Sequence, residues 1–337
     1  MHQDRKAKHS ARAVCTSILR RLRQMRQMRL LRQMSHRLTV SIVSIVSIAG
    51  CASIPPLPST TIVLAEFDAS RGAITSVAEI TPHAGYNNQP AFSLDGSHVY
   101  YVDDVNGGTD IVRYDRASGV RTRLTKTSEA EFSPTPMSDR RSLSVVRVAR
   151  PTASGDDYTE SQQLWRYDST GRAIAPIIGM RRIGYHCWMS DAIVAVFVVG
   201  NEERGEPHTL RVVELTSRQS VTVARSIGRT IRMSPQQRLT YVDKSDSTRW
   251  VLMSIMVGDE HGTPILPMPR GSEDFAWLAD GRVLISTADG LVLATQTGSA
   301  WAFAPVSGAL PLRGRIGRIT VSPDERTIAM VITRETR

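Results

Sequence analysis

The sequence predicts an all-β chain, a six-bladed β-propeller closed by pairing N-terminal strands with C-terminal strands. Three observations lead there. A short segment recurs six times at nearly even spacing. The residues between copies break into short runs rich in Val, Ile, Tyr and Thr. Strand-like runs left over at the two ends of the repeat array complete one another.

The clearest copies of the segment are Ala91-Phe92-Ser93-Leu94-Asp95-Gly96, Ala276-Trp277-Leu278-Ala279-Asp280-Gly281 and Thr320-Val321-Ser322-Pro323-Asp324-Glu325. Weaker copies centre on Asp139, Asp191 and Gln236. With the Asp or Gln as anchor, the positions are 95, 139, 191, 236, 280 and 324, so the intervals are 44, 52, 45, 44 and 44 residues. A period of this size marks a propeller with four strands per blade, and six anchors give six blades.

The first 50 residues stand apart. They hold eleven Lys and Arg and a single acid, Asp4, which accounts for the whole formal charge of +10 of the 337-residue chain. The remaining 31 basic and 31 acidic residues cancel. A neutral body lacks the basic field that nucleic-acid binding requires, so no nucleic-acid partner is expected. Residues 38–49 form an apolar run interrupted only by Thr39, Ser41, Ser44 and Ser47. Twelve residues are too few for a membrane span, which needs about 20, but they match the core of a signal peptide. The run ends in Ile48-Ala49-Gly50-Cys51, which resembles the lipobox of bacterial lipoproteins. That resemblance implies lipidation of Cys51, a signal peptide over 1–50 and anchoring by lipid at the periplasmic side of the outer membrane, since Ala52 and Ser53 replace the Asp that resembles an inner-membrane retention signal. Two or more acyl chains give stable anchoring. Met34 offers a shorter start. The Arg-Gln-Met repeats upstream of it are then translated upstream DNA, with a disordered basic arm and a basic lipid- or RNA-binding helix as the other readings.

Residues 51–60 form a linker in which Pro55, Pro56 and Pro58 favour an extended chain. The propeller spans 61–337. The second blade reads as strands over 89–93, 98–102, 110–115 and 120–125, with Asp95-Gly96 and Ser118-Gly119 at turns that need positive φ; Thr170-Gly171 makes the equivalent turn in the next blade. In the third strand, alternation places Ile111, Arg113 and Asp115 on one face and Val112 and Tyr114 on the other, with the aromatic residues packed between blades. Asp324 leaves room for two more strands, 318–322 and 327–333. Joined to runs at 61–67 and 73–80 they complete one blade and close the ring, removing exposed sheet edges. The long interval of 52 comes from a polar insertion at 150–161, and residues 200–207 form a similar loop in the next blade; both sit on the face from which each innermost strand starts, where binding is expected. Cys187 has no partner for a disulfide in the mature chain and reads as buried filler.

The anchors resemble the repeat of TolB-type propellers, whose pattern runs apolar, Ser, Pro, Asp, Gly. Val321-Ser322-Pro323-Asp324 fits it, and Phe92-Ser93-Leu94-Asp95-Gly96 departs only at Leu94. The resemblance covers residues 61–334 and implies the fold. The TolB protein carries an extra N-terminal domain and partners a peptidoglycan-associated lipoprotein; no such domain fits before Thr61, so that role does not carry over. Similar repeats also cap serine peptidases, but no Gly-x-Ser-x-Gly elbow, His-Glu-x-x-His helix or phosphate-binding Gly-rich loop occurs in the sequence.

Counting back five to eight residues from each anchor gives a polar ring at the channel mouth: Asn87, Asn88, Glu131, His186, Arg229, Glu273, Asp274 and Arg318. Converging polar groups in a concavity favour a ligand; Asn88, Glu131, His186 and Glu273 include acceptable metal donors, and oxygen-rich sites suit Ca²⁺. The same positions are polar in any wet channel mouth, where Glu131 and Arg229 would pair and His186 would be a hydrogen-bonded structural residue. Two functions follow from these expectations. One is a non-catalytic envelope lipoprotein, without cofactor, that binds an envelope protein or a peptidoglycan-related ligand. The other is a metal-dependent hydrolase or lactonase with an acidic site at the central channel.

Overall fold

The computed structural model describes residues 57–81, 83–105, 108–149, 158–308 and 314–333. The leader, Cys51, residues 52–56 of the linker and residues 150–157 of the insertion lie outside the described residues. The described chain forms six antiparallel four-stranded sheets set as the blades of a propeller. Blade 1 takes β1 (Thr60–Asp68) and β2 (Ala73–Glu79) from the beginning of the array and β23 (Arg315–Val321) and β24 (Thr327–Thr333) from its end. Blade 2 is β3 (Asn87–Phe92), β4 (His98–Val105), β5 (Gly108–Asp115) and β6 (Arg121–Arg123). Blade 3 is β7 (Ala130–Pro136), β8 (Ser142–Val148), β9 (Gln163–Asp168) and β10 (Ala173–Pro176). Blade 4 is β11 (Ile183–Ser190), β12 (Ile193–Val198), β13 (Thr209–Glu214) and β14 (Ser220–Arg225). Blade 5 is β15 (Ile227–Met233), β16 (Leu239–Asp243), β17 (Val251–Ile255) and β18 (Thr263–Pro267). Blade 6 is β19 (Phe275–Trp277), β20 (Val283–Thr287), β21 (Gly290–Thr297) and β22 (Ala300–Pro305).

The ring closes as the sequence predicts. β1 pairs antiparallel with β24 from Thr60↔Thr333 to Glu66↔Thr327 without a register break. The closed blade is then locked to blade 2 by Asn87. Its Nδ2–H donates to the Thr60 carbonyl at 3.0 Å and its backbone N–H to Thr60 Oγ1 at 3.1 Å, while Thr60 Oγ1–H donates to the Asn87 carbonyl at 2.8 Å.

Strands alternate, and each blade therefore has two apolar faces that meet its neighbours. Ile111 packs with Val102, Leu143, Val145 and Tyr167 between blades 2 and 3, while Val112 on the opposite face packs with Tyr101, Ala329 and Val331 between blades 1 and 2. Each Val, Ile or Leu fully removed from water contributes roughly 1.5–3 kcal/mol, so the interblade seams are the main source of stability. A recurring polar contact adds to them. Trp188 Nε1–H donates to Ser144 Oγ of the preceding blade at 2.9 Å, and Trp277 Nε1–H donates to Thr240 Oγ1 of its preceding blade at 3.0 Å.

The anchors are turn residues, on the face opposite the starts of the innermost strands. Ser93 Oγ–H donates to Asp95 Oδ1 at 2.6 Å and Ser322 Oγ–H to Asp324 Oδ1 at 2.5 Å. The hydroxyls of Ser93 and Ser97 hold the Asp95 carboxyl well below the usual carboxylate range. The residue after the anchor has positive φ in five of the six copies: Gly96 (73°), Arg140 (57°), Gln237 (58°), Gly281 (90°) and Glu325 (59°). The turn therefore imposes a left-handed residue even where the sequence supplies no glycine, at a cost of the order of 1 kcal/mol each.

Candidate functional site

Each innermost strand (β3, β7, β11, β15, β19, β23) starts on one face of the ring, and a large cavity of about 1010 Å³ opens there. Its walls come from the starts of the innermost strands, the ends of the second strands and the starts of the third. Tyr86, Phe132, Tyr158, Tyr185 and Phe197 give it an aromatic surface. The rings support one another: Tyr86 meets Phe132 edge-on at 6.3 Å, Tyr185 meets Phe197 edge-on at 5.5 Å, and Phe197 lies 4.8 Å from the His208 ring. Both loops singled out in the sequence contribute to this face. Tyr158 begins a short 3-10 turn (Tyr158–Ser161) before β9, and Gly200 N–H donates to His208 Nδ1 at 2.9 Å beyond the second loop. That bond leaves the proton on Nε2, and burial lowers the His208 pKa, so the imidazole is neutral.

Charged groups line one side of the mouth. Arg229 reaches Asp274 with two contacts, Nη2 to Oδ2 at 2.5 Å and Nε to Oδ1 at 3.3 Å, and Thr230 Oγ1–H donates to Asp274 Oδ1 at 2.9 Å. Glu273 Oε2 accepts from the Arg229 backbone N–H and from Lys244 Nζ, both at 3.2 Å. Lys244 Nζ in turn lies 3.9 Å over the Trp250 ring. Burial disfavours the charge on Arg229, but the Asp274 carboxylate outweighs it and holds the guanidinium pKa above its ordinary value. Burial alone would raise the Asp274 pKa; Arg229, with Arg318 and Thr230 adding, reverses this and lowers it.

Below the mouth the channel narrows to a throat of about 80 Å³. The residues six positions ahead of the anchors, Gln89, Ser133, Tyr185, Thr230, Asp274 and Arg318, all line it, one from each blade. Neighbouring members touch around part of the ring. Ser133 N–H donates to Gln89 Oε1 at 2.5 Å, and Ser133 Oγ–H donates to the Gly184 carbonyl at 3.2 Å. Arg318 lies across the channel with its guanidinium 4.6 Å over the Tyr185 ring and donates to the Tyr185 hydroxyl.

The predicted ring is thus only partly assembled. Arg229, Asp274 and Arg318 meet at the throat, and Glu273 lines the mouth. Asn87 and Asn88 line neither space. Asn87 is spent on the closing blade, and Asn88 Oδ1 accepts from the backbone N–H of Gln89 at 2.8 Å. Glu131 does not pair with Arg229. It is fully buried away from the channel, where Oε1 accepts from Thr127 at 2.6 Å and from the Tyr167 hydroxyl at 3.2 Å, and burial pushes its pKa up to about 7. His186 touches the throat, but its Nε2 is 2.7 Å from Ser144 Oγ and burial drives its pKa down to about 3. The donors proposed for Ca²⁺ are therefore dispersed, and among the described residues no three His, Cys, Asp or Glu stand together in a way that could hold a metal ion. These residues do not fit a metal.

Gln89, Ser133, Tyr185, Thr230 and Arg232 are throat residues that counting back does not single out. Register irregularities in the innermost strands are the reason. They fall between Asn88 and Ala91, Phe132 and Thr135, Ile183 and Tyr185, Ile227 and Ile231, and Ile316 and Ile319. An irregularity of this kind re-aims side chains. Gln89 and Ser133 sit in theirs at φ 56° and 53°, and the one at 227–231 lets both Arg229 and Arg232 reach the channel. Cys187 is half-buried, and burial raises its thiol pKa, in keeping with the reading as filler.

No protein-family model matches the sequence. No curated protein matches it in sequence either. Solved structures match it in fold. TolB from Acinetobacter baumannii is 12% identical with a TM-score of 0.51; the match covers 83% of this chain but 65% of that one, so this chain spans less than two thirds of its length. A putative TolB from Agrobacterium tumefaciens is 12% identical with a TM-score of 0.60, covering 83% of this chain and 99% of that one. An oligogalacturonate lyase in complex with manganese is 15% identical with a TM-score of 0.53, covering 77% and 80%. At such identities the likeness is one of fold. On the closed ring, the six four-stranded sheets and these neighbours, the chain has the six-bladed propeller fold of the TolB structures.

Proposed function

We propose that this protein is a non-catalytic binding protein of the cell envelope, held by lipid on Cys51 at the periplasmic side of the outer membrane, whose mouth cavity docks a protein partner or a peptidoglycan-related ligand. The observation that carries the reading is the mouth itself: a cavity of about 1010 Å³ with an aromatic wall and a fixed charged side. Aromatic residues and Arg in a preformed concavity are the usual anchors of recognition. The location rests on the apolar run 38–49 and the Ile48-Ala49-Gly50-Cys51 segment.

Affinity capture from envelope membranes tests it, with the wild type, Phe197→Ala and Lys244→Glu at the mouth, and Arg140→Glu on the opposite face. One partner held by the wild type and by Arg140→Glu, and lost from both mouth variants, is the expected result. Recovery of the same proteins with all four, or none with any, contradicts it. The second reading, a metal-dependent hydrolase or lactonase with an acidic site at the central channel, has behind it only the fold shared with the manganese-bound lyase, itself not a hydrolase, and against it the dispersed donors of the channel. A thermal-shift series with Ca²⁺, Mn²⁺ and Zn²⁺ separates the two: a shift abolished by Glu273→Ala favours the hydrolase.

A further inference from the structure

We infer that the throat is a subsite for the oxyanion group of a small ligand, a carboxylate or a phosphate, gripped by Arg232 and Arg318. Three guanidinium groups (Arg229, Arg232 and Arg318) line this space of about 80 Å³, with Asp274 as the one carboxylate. Asp274 is engaged by Arg229 through two contacts. Arg232 and Arg318 have no carboxylate in ion-pair contact among the described residues. Arg232 reaches only the Ile319 carbonyl, at 3.5 Å, and Arg318 donates to the Tyr185 hydroxyl. Of the other titratable neighbours, burial keeps His186 neutral and raises the Cys187 thiol pKa, so neither adds a negative charge.

Two half-buried guanidinium groups that feel only, at a distance, the carboxylate already engaged by Arg229 are under-compensated, and charged groups withdrawn from water are ordinarily paired. Burial accordingly pushes the Arg232 pKa below its ordinary value. An oxyanion entering between them would supply the missing charge. The planar fork of Arg fits carboxylate and phosphate oxygens bidentately, and Asp274 on Arg229 shows that contact within the same throat. The Tyr185 ring, stacked on Arg318, fixes the fork in place before the ligand arrives. Gln89, Tyr185 and Arg229 line both throat and mouth, so a ligand could seat its anionic end below and its body against the aromatic wall above. The inference does not depend on protein docking at the mouth.

The test is titration calorimetry on the purified protein in a zwitterionic buffer, with sodium malonate in one arm, sodium phosphate in a second, and sodium chloride at matched ionic strength as the control. Saturable binding of malonate or phosphate above the chloride background is expected, and the two arms tell which oxyanion the throat prefers. Arg318→Gln and Arg232→Gln should each weaken it at least tenfold. Asp274→Asn removes the throat carboxylate, leaving Arg229 only its longer contact to Glu273, and should tighten binding about threefold or more, an increase that a misfolded variant cannot mimic. No saturable binding of either anion, or binding that none of the three substitutions changes, would overturn the assignment.

Discussion

Arg229 in blade 5 and Asp274 at the start of blade 6 form a two-point ion pair across neighbouring innermost strands, with Nη2 to Oδ2 at 2.5 Å and Nε to Oδ1 at 3.3 Å. The pair joins two blades and takes up the one carboxylate in the throat. Asp274 is buried and Arg229 is about one third exposed, so solvent screens the contact from one side.

Asp274→Ala leaves Thr230 without its partner and Arg229 with only the longer contact to Glu273, at 3.5 Å. Removing one member of a buried pair costs about 3–5 kcal/mol; with Arg229 partly screened, a loss of roughly 2–3 kcal/mol is expected in urea unfolding. The pH dependence has a definite sign. The folded pKa of Asp274 lies below its unfolded value, so the contribution is present above that unfolded value of about 3.9 and is lost as pH falls through the folded one. The wild type should lose this increment in that acid range, and Asp274→Ala should not.

Glu131 has the opposite sign. Its folded pKa is raised to about 7 by burial, whereas an unfolded glutamate titrates near 4.3. Between those values the folded state holds a proton that the unfolded state has released. Stability therefore falls as pH rises across that window, by roughly 4 kcal/mol at about 1.4 kcal/mol per unit. Glu131→Gln should flatten the slope, and unfolding midpoints measured from pH 4 to pH 8 decide it.

Trp277→Phe keeps the ring in the seam between blades 5 and 6 but deletes the bond to Thr240 Oγ1. Thr240 still donates to the Arg232 carbonyl at 2.8 Å, so no buried hydroxyl is stranded. A loss of about 1 kcal/mol is expected, and a similar one for Trp188→Phe, where Ser144 has the same role. Denaturant midpoints with unchanged m-values would confirm that only this contact was removed.

Gly171 is a position where blades 2 and 3 approach very closely. It has φ of 86°, and a Cβ there would stand 2.1 Å from the Leu124 carbonyl oxygen. Gly171→Ala must displace backbone, so a loss above about 2 kcal/mol is expected. Gly298, at φ 61° with open space around it, is the control, and Gly298→Ala should cost less than half as much.

The fold is legible in the sequence because its signals are local. The Asp anchors bond their own turns, as Ser93 and Ser97 do to Asp95, so each copy can be read without its neighbours. Closure is legible for a different reason: the runs at the ends of the array have nowhere else to pair. The throat is harder to read. Counting back over a range finds Arg229, Asp274 and Arg318, but the position that lines the channel in every blade is the sixth before the anchor. Gln89, Ser133 and Tyr185 occupy it in blades 2 to 4, and all three are less suggestive of chemistry than the neighbouring Asn88, Glu131 and His186. Strand alternation alone does not correct this, because the register irregularities at 88–91 and 132–135 change which side chain faces inward. Tyr167, which helps hold Glu131, comes from the third strand of its blade, and Ser144, which holds His186, comes from the preceding blade; no spacing in the sequence points to either.

Site-specific photo-crosslinking in intact cells tests the central claim most directly. A photoreactive phenylalanine analogue is placed at Tyr158 or Phe197 in the mouth and at Arg140 on the opposite face. The account predicts one dominant adduct from each mouth position and none from Arg140. Adducts from Arg140 alone, or the same adducts from both faces, would contradict it.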